Sequence, residues 1–335
     1  MFDPPRCPFA DCEHHRDPDL YFAVRAGRYF PQCRSHPVQR FRCRGCRRTF
    51  SRQTFRADRR QKKPHINAAC LRLMVSCVGL RQAAQVLQVA RRTIERRFVW
   101  LARHASDWHA NRLDGSQLDG PFQLDELESF EANRYQPLTV PVLIDRSSLF
   151  IVATEVGTLR RKGTMTAMQR RRRAQHERRH GRRPSQSPRA VRAVLARLHQ
   201  VVGPRQPIVL DSDRKPLYGR LGHTTFPGRF VWNRHDAAAR RDRGNPLFPI
   251  NHTNARLRHF LSRLRRRTWC VSKRRNGLRA HLAIATLWSN YVRGMTNRTR
   301  TTAAQALGVV RRAYRPEEVL AWRQDWGSLS PALET

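Results

Sequence analysis

Four cysteines stand in two short pairs, Cys7 with Cys12 and Cys43 with Cys46, with about thirty residues between the pairs. Thiolates presented on two tight turns suit the tetrahedral preference of zinc, and a metal there replaces a core that so small a segment cannot build. Cys33 and His36 are spare candidates for the fourth ligand; the alternative is a set of free structural thiols. A structural zinc performs no reaction, so chemistry needs other groups. Asp125 lies inside the apolar, strand-like run Phe122-Gln123-Leu124-Asp125-Glu126-Leu127, where a charge is costly unless it binds something. Ile208-Val209-Leu210-Asp211-Ser212-Asp213 repeats the device, with acids where an apolar run ends. Carboxylates on neighbouring strand ends can hold divalent cations for phosphodiester chemistry. Acids also end strands at ordinary turns, and Glu126 and Glu128 read as solvent-facing alternation.

The elements that must position these groups emerge from periodicity. Residues 64–106 have a helical pattern, interrupted only at Gly79, and residues 113–121 read as a linker. Three apolar, β-branched segments, 122–130, 138–144 and 149–156, are spaced as adjacent antiparallel strands. A helix over 190–201 and a strand over 207–210 come next, then helices over 251–267 and 277–293, and a helix start with early acids at Pro316. Leu80 to Ile94 has the helix-turn-helix cadence. Ala84 is small where helices cross, Val89 falls in the turn, and Ile94 and Phe98 supply the buried stripe. Arg91, Arg92, Thr93, Arg96 and Arg97 would then face a major groove and its phosphates. The other reading is a helical hairpin with solvated arginines.

The chain has 335 residues and a net charge of +41, from 66 Lys and Arg against 25 acids. Only five of the 66 are lysines, a bias that G+C-rich coding explains, but the excess of base over acid still calls for a polyanionic partner. Between 158 and 192 thirteen basic residues, Arg170, Arg171, Arg172 and Arg173 among them, meet a single acid, Glu177. Such a tract cannot pack on itself and reads as a loop or frayed helix that orders on a phosphate backbone. A helix-turn-helix suits duplex DNA better than A-form RNA, whose major groove is too narrow. The N-terminus lacks the pattern of a secretory signal and no run has the length of a membrane span, so a cytoplasmic, nucleoid-associated protein is expected. Paired cysteines at ligand spacing also suit a reducing compartment.

Three segments in order resemble transposases of the insertion-sequence-one type. Arg42-Cys43-Arg44-Gly45-Cys46-Arg47-Arg48-Thr49-Phe50 is similar to that family's zinc knuckle, and Asp213-Arg214-Lys215-Pro216-Leu217-Tyr218 to its second-aspartate motif. The stretch from Leu257 to Thr268, continuing to Ser272-Lys273, resembles its last catalytic helix and the segment after that helix. The likeness spans roughly residues 5–295. It implies a multidomain α/β chain: a zinc ribbon over 1–60, a three-helix DNA-binding domain over 61–112, an RNase H-like mixed-sheet domain over 113–300 with an Arg-rich insert near 158–189, and a helical tail over 301–335. It further implies a bacterial DNA transposase that cuts transposon ends and transfers strands with two magnesium ions, working as an oligomer, expected to be a dimer. Asp125 would be the first magnesium ligand and Asp213 the second, with Asp211 as the alternative. Arg263 and Lys273 would join the DNA contacts. The family's third ligand, a glutamate, is missing: the register places Asn251 there, with His252 beside it. Either His252 completes an Asp-Asp-His site or the chain is an inactive derivative that regulates by binding DNA.

Overall fold

The computed structural model describes residues 2–31, 36–236, 240, 242, 244–265 and 269–322. It is mixed α/β and divides into two compact units, Met1–Ala69 with Arg315–Thr335, and Cys70–Tyr314.

In the first unit, α1 (Glu13–Arg16) precedes the strands β1 (Ala23–Tyr29), β2 (Val38–Cys43) and β3 (Thr49–Ser51), which form an antiparallel sheet in chain order. Alternation along β2 buries Phe41 and Cys43 and exposes Arg40 and Arg42. Phe22, Phe41, Phe50 and Phe55 pack with the cysteines into one small cluster. That is little apolar area for a free-standing core, so a second source of stability is needed.

The second unit opens in α2 (Asn67–Met74), which lies across the division, and continues through α3 (Leu80–Val86) and α4 (Arg91–Leu113). Gln88 takes a positive φ of 49° in the turn between α3 and α4, and the Val89 N–H donates to Ala84 O at 3.0 Å. Ile94 and Phe98 are buried, as the stripe requires, and Ala84 leaves room for the crossing. The strands β4 (Phe122–Phe130), β5 (Pro137–Asp145), β6 (Ile151–Thr154) and β7 (Gly157–Thr158) come next. After them run α5 (Ala167–His180), α6 (Ser187–Gln200), β8 (Ile208–Asp213), α7 (Pro216–Thr225), β9 (Phe230–His235), α8 (Phe248–Phe260), α9 (Arg275–Leu287) and α10 (Ala303–Ala306). The chain's last described helix, α11 (Pro316–Ala321), belongs to the first unit.

The large sheet is mixed, in the order β6-β5-β4-β8-β9, with β7 also on β5. β4, β5 and β6 are antiparallel neighbours, whereas β8 runs parallel to both β4 and β9. One face, carrying Leu127, Val140, Val142 and Ile144, packs on Ile250, Leu257 and Phe260 of α8 and Leu278 and Leu282 of α9. Helices α6 and α7 cover the other. α7 can lie close on β9 because Gly219 and Gly222 have no Cβ. One added at Gly222 would stand 2.0 Å from the Phe230 ring, and one at Gly219 2.3 Å from that of Trp232. α4 docks on α9, where the His281 ring meets Phe98 edge-on and its Nε2 donates to Met74 O at 2.6 Å. α8 is shorter than its sequence pattern suggests, ending at Phe260, although Leu261 and Leu264 remain buried in the turn beyond it.

Candidate functional site

In the first unit, turns before α1 and after β2 bring Cys7, Cys12, Cys43 and Cys46 together, every sulfur within 4.8 Å of the others. Cys7 and Cys46 are 3.6 Å apart at Sγ, and Cys12 and Cys43 are 3.7 Å apart. A tetrahedron with metal–sulfur bonds of roughly 2.3 Å has edges of about 3.8 Å. The four sulfurs therefore fit a metal such as zinc. Burial pushes the Cys7 thiol up. At Cys46 burial acts the same way, but the Arg48 guanidinium and backbone prevail and bring that thiol down to about 7. Cys33 lies outside the described residues, and His36 is not among the four ligands.

In the second unit, period-2 alternation puts Gln123, Asp125 and Leu127 on the face that meets α8, and Glu126 on the other. Gln123 fixes the start of α8, donating to Pro246 O at 2.7 Å and accepting from the Ile250 N–H at 3.0 Å. One turn later the Asn254 amide donates to Asp125 Oδ2 at 2.7 Å. β4 and β8 pair at Phe122–Leu210 and Gln123–Asp211, and the same offset of 88 carried two residues on sets Asp125 level with Asp213. Both carboxylates raise the pKa of the buried Tyr218 phenol, after burial itself and Glu126, so both lie within electrostatic reach of one ring.

Asp211 is placed differently. It is buried, accepting from Arg146 at 3.0 Å and Asn233 at 2.9 Å, with His235 Nε2 3.4 Å away. Burial raises its pKa, and these partners outweigh burial and hold it below the ordinary carboxylate value. The Arg146 cation competes with a metal for Asp211, whereas Asp213 Oδ1 accepts the neutral Lys215 N–H at 3.1 Å, so Asp213 is the better placed of the two. On α8 the residue against Asp125 is Asn254, not Asn251 or His252. His252 stacks on Phe248 at 5.9 Å, and burial, then Arg256, lower its pKa. Among the described residues, the only group of three or more His, Cys, Asp or Glu ligand atoms within 4.8 Å is the cysteine set, so His252 does not close such a group with Asp125 and Asp213. A signal for Asn254 existed in the sequence: it is a polar residue four after Ile250 and three before Leu257, on the buried stripe.

Glu126 does not face solvent. Its side chain is 8% exposed under α6 and α7 and bonds to Lys215. It also accepts from Thr139 at 2.6 Å, Ser187 at 2.7 Å and Tyr218 at 3.0 Å. Burial raises its pKa, but Lys215 and the hydroxyl donors override burial and keep it ionised.

No protein-family model and no curated protein matches the chain. The cationic surfaces therefore rest on geometry alone. Arg91, Arg92 and Arg96 are exposed on the first turns of α4, Arg91 pairing with Glu95 at 2.7 Å; Thr93 and Arg97 are half-buried. Lys273 is exposed and shares a cavity of about 630 Å³ with Arg81, Arg91 and Trp269, beside α3. Arg263 lines the same cavity and is half-buried, its guanidinium 5.1 Å from the centre of the Phe98 ring. α5 has no buried residue: Arg170, Arg171 and Arg172 are exposed, while Arg173 is half-buried and donates to Arg161 O at 3.1 Å. Its one acid, Glu177, forms a two-pronged pair with Arg160 at 2.8 and 3.0 Å, so the tract is an anchored helix. Among the described residues, no helix is long and apolar enough to cross a membrane.

Proposed function

We propose that the chain is a DNA transposase whose cutting and strand-transfer site lies between β4, β8 and α8. The observation that carries this reading is the large sheet. Its antiparallel hairpins run into two parallel strands, a mixed sheet such as the RNase H-like resemblance implies, with Asp125 and Asp213 on two adjoining strands and a helix laid across them. Asp125 and Asp213 would hold magnesium. Their level register and the polar ceiling of Asn254 and Gln123 suit a hard cation that prefers oxygen. A metal there would stabilise charge on the scissile phosphate and activate the attacking oxygen. The chain's own residues orient: Asn254 fixes one oxygen of Asp125, Gln123 fixes α8, and the Lys215 N–H holds Asp213 Oδ1 at 3.1 Å.

The cysteine cluster would hold zinc and stabilise a ribbon whose Arg40 and Arg42 reach DNA phosphates. The exposed arginines at the start of α4 would read the terminal repeats, with Lys273 beside them, and α5 would grip the backbone of end or target DNA. Joining two ends requires two protomers, so a dimer is the working form. A second reading, a DNA-binding regulator without chemistry, is favoured by one observation: α8 offers Asp125 an amide where a carboxylate would be expected. Incubation with duplex carrying the nucleotides that flank the coding sequence separates them. The wild type should shift and nick this DNA with magnesium, and Asp213→Ala should shift it without nicking. Nicking by Asp213→Ala would remove that residue from the mechanism; shifting without nicking by the wild type would support the regulator.

A further inference from the structure

The backbone ladder between β4 and β8 stops short of the carboxylates it presents. Its paired positions are Phe122–Leu210 and Gln123–Asp211, so Asp125 and Asp213 stand two residues past the last pair. No β4–β8 pair stands at their own level, although each strand stays paired there with its outer neighbour, Asp125 with Val142 and Asp213 with His235. Directly behind them, on the face away from α8, the Glu126 carboxylate takes donors from four elements: Thr139 of β5, Ser187 of α6, Tyr218 of α7 and Lys215 of the turn between β8 and α7. Lys215 is bound a second time, donating to Ser187 Oγ at 3.2 Å.

The two charged partners are also the residues whose backbones hold the site. The Glu126 N–H donates to Asp125 Oδ1 at 2.8 Å, and the Lys215 N–H donates to Asp213 Oδ1 at 3.1 Å. One side-chain pair behind the sheet therefore joins the two peptide groups that grip the two carboxylates in front of it. The geometry points to Glu126 and Lys215 as positioning residues that set the spacing of Asp125 and Asp213 for a divalent cation. This role rests on the reading of those aspartates as a cation site. A merely structural ion pair would stabilise the unit without altering its affinity for a cation.

Manganese binding to the full chain, followed by electron paramagnetic resonance below the melting temperature, distinguishes the two roles. The site's share of the signal is the part lost in Asp125→Asn/Asp213→Asn. In Lys215→Met and in Glu126→Gln that share should remain but need roughly 10- to 100-fold more manganese, the usual cost of removing a group that orients a ligand. Lys215→Arg, which keeps the pair, should recover most of the affinity. Thr139→Val removes one donor to Glu126 and leaves the pair intact, so it should weaken binding less than Lys215→Met. Glu126→Gln carries the comparison with Lys215→Arg if the methionine variant does not fold. Wild-type affinity in folded Lys215→Met or Glu126→Gln, or equal affinity across the graded series, would overturn the positioning role. No manganese signal assignable to Asp125 and Asp213 in the wild type would instead remove the cation site, and the positioning role with it.

Discussion

Replacing Asn254 by aspartate keeps the side chain's shape and turns the donor facing Asp125 into a second carboxylate. In the structure the amide nitrogen is 2.7 Å from Asp125 Oδ2. The substitution removes a hydrogen bond to a charged group, worth about 1.5–3 kcal/mol. It also sets two acids so close that ionising both is unfavourable, and one responds by taking up a proton. A net loss of roughly 2–4 kcal/mol near pH 8 without magnesium combines the two effects. For a unit the size of Cys70–Tyr314, that is a fall of roughly 5–15 °C in melting temperature. Magnesium should offset most of that loss. A cation between the carboxylates binds only the folded chain and returns about 2.7 kcal/mol at a hundredfold excess over its dissociation constant. Circular-dichroism melts of wild type and Asn254→Asp, each with and without magnesium, measure both quantities. A variant that melts with the wild type in the absence of magnesium would refute the packing of α8 on Asp125. A destabilised variant that gains nothing from magnesium would refute the cation site.

The other expectations touch separate parts of the molecule. Cys43→Ser, or removal of metal by a chelator, should unfold the first unit, seen as faster proteolysis within residues 1–69, because metal binding supplies folding free energy that its few phenylalanines cannot. Burial lowers His109 and His281 to about 4, against the bonds they make to the Val152 and Met74 carbonyls. Between pH 6.5 and 4 the unfolded chain binds protons that the folded chain refuses. About 3 kcal/mol per ring is therefore present in full above pH 6.5 and lost as pH falls towards 4. Urea midpoints across that range should show the loss, and His281→Leu should reduce its slope by one proton. Gly222→Ala should destabilise by about 1–3 kcal/mol despite its better helix propensity, because the new methyl meets the Phe230 ring, and chemical denaturation reads this directly. Replacing Arg170, Arg171 and Arg172 by glutamine should flatten the dependence of log affinity on log salt by roughly 2 to 3 on any duplex sequence, as measured by fluorescence anisotropy.

Much of the fold was legible because its signals are local. The run with Asp125 buried in it emerged as β4, the segments after it as β5 and β6, and the small Ala84 marked a helix crossing. The paired cysteines carried their own spacing. The illegible part depends on which surfaces become covered. Glu126 reads as solvent-facing because alternation opposes it to Leu127, but α6 and α7 cover that second face too, and the carboxylate becomes a buried hub. The residue of α8 that meets Asp125 depends on where the helix starts. Gln123 fixes that start from another strand, and the phase it sets selects Asn254 over Asn251 and His252. No local pattern announces that Phe98, far away in the chain, would lie beneath the Arg263 guanidinium. Asp211 and Asp213 are two apart on one strand face, and nothing local ranks them; the Arg146 cation beside the former does.

The claim on which the account turns is that Asp125 and Asp213 share a divalent cation. Crystals grown or soaked in manganese, with data collected to reveal its anomalous scattering, address it directly. The account places an anomalous peak between those two carboxylates, beneath Asn254, that disappears in Asp125→Asn/Asp213→Asn. Ordered density for both side chains with no peak between them, or a peak at Asp211 instead, would contradict it.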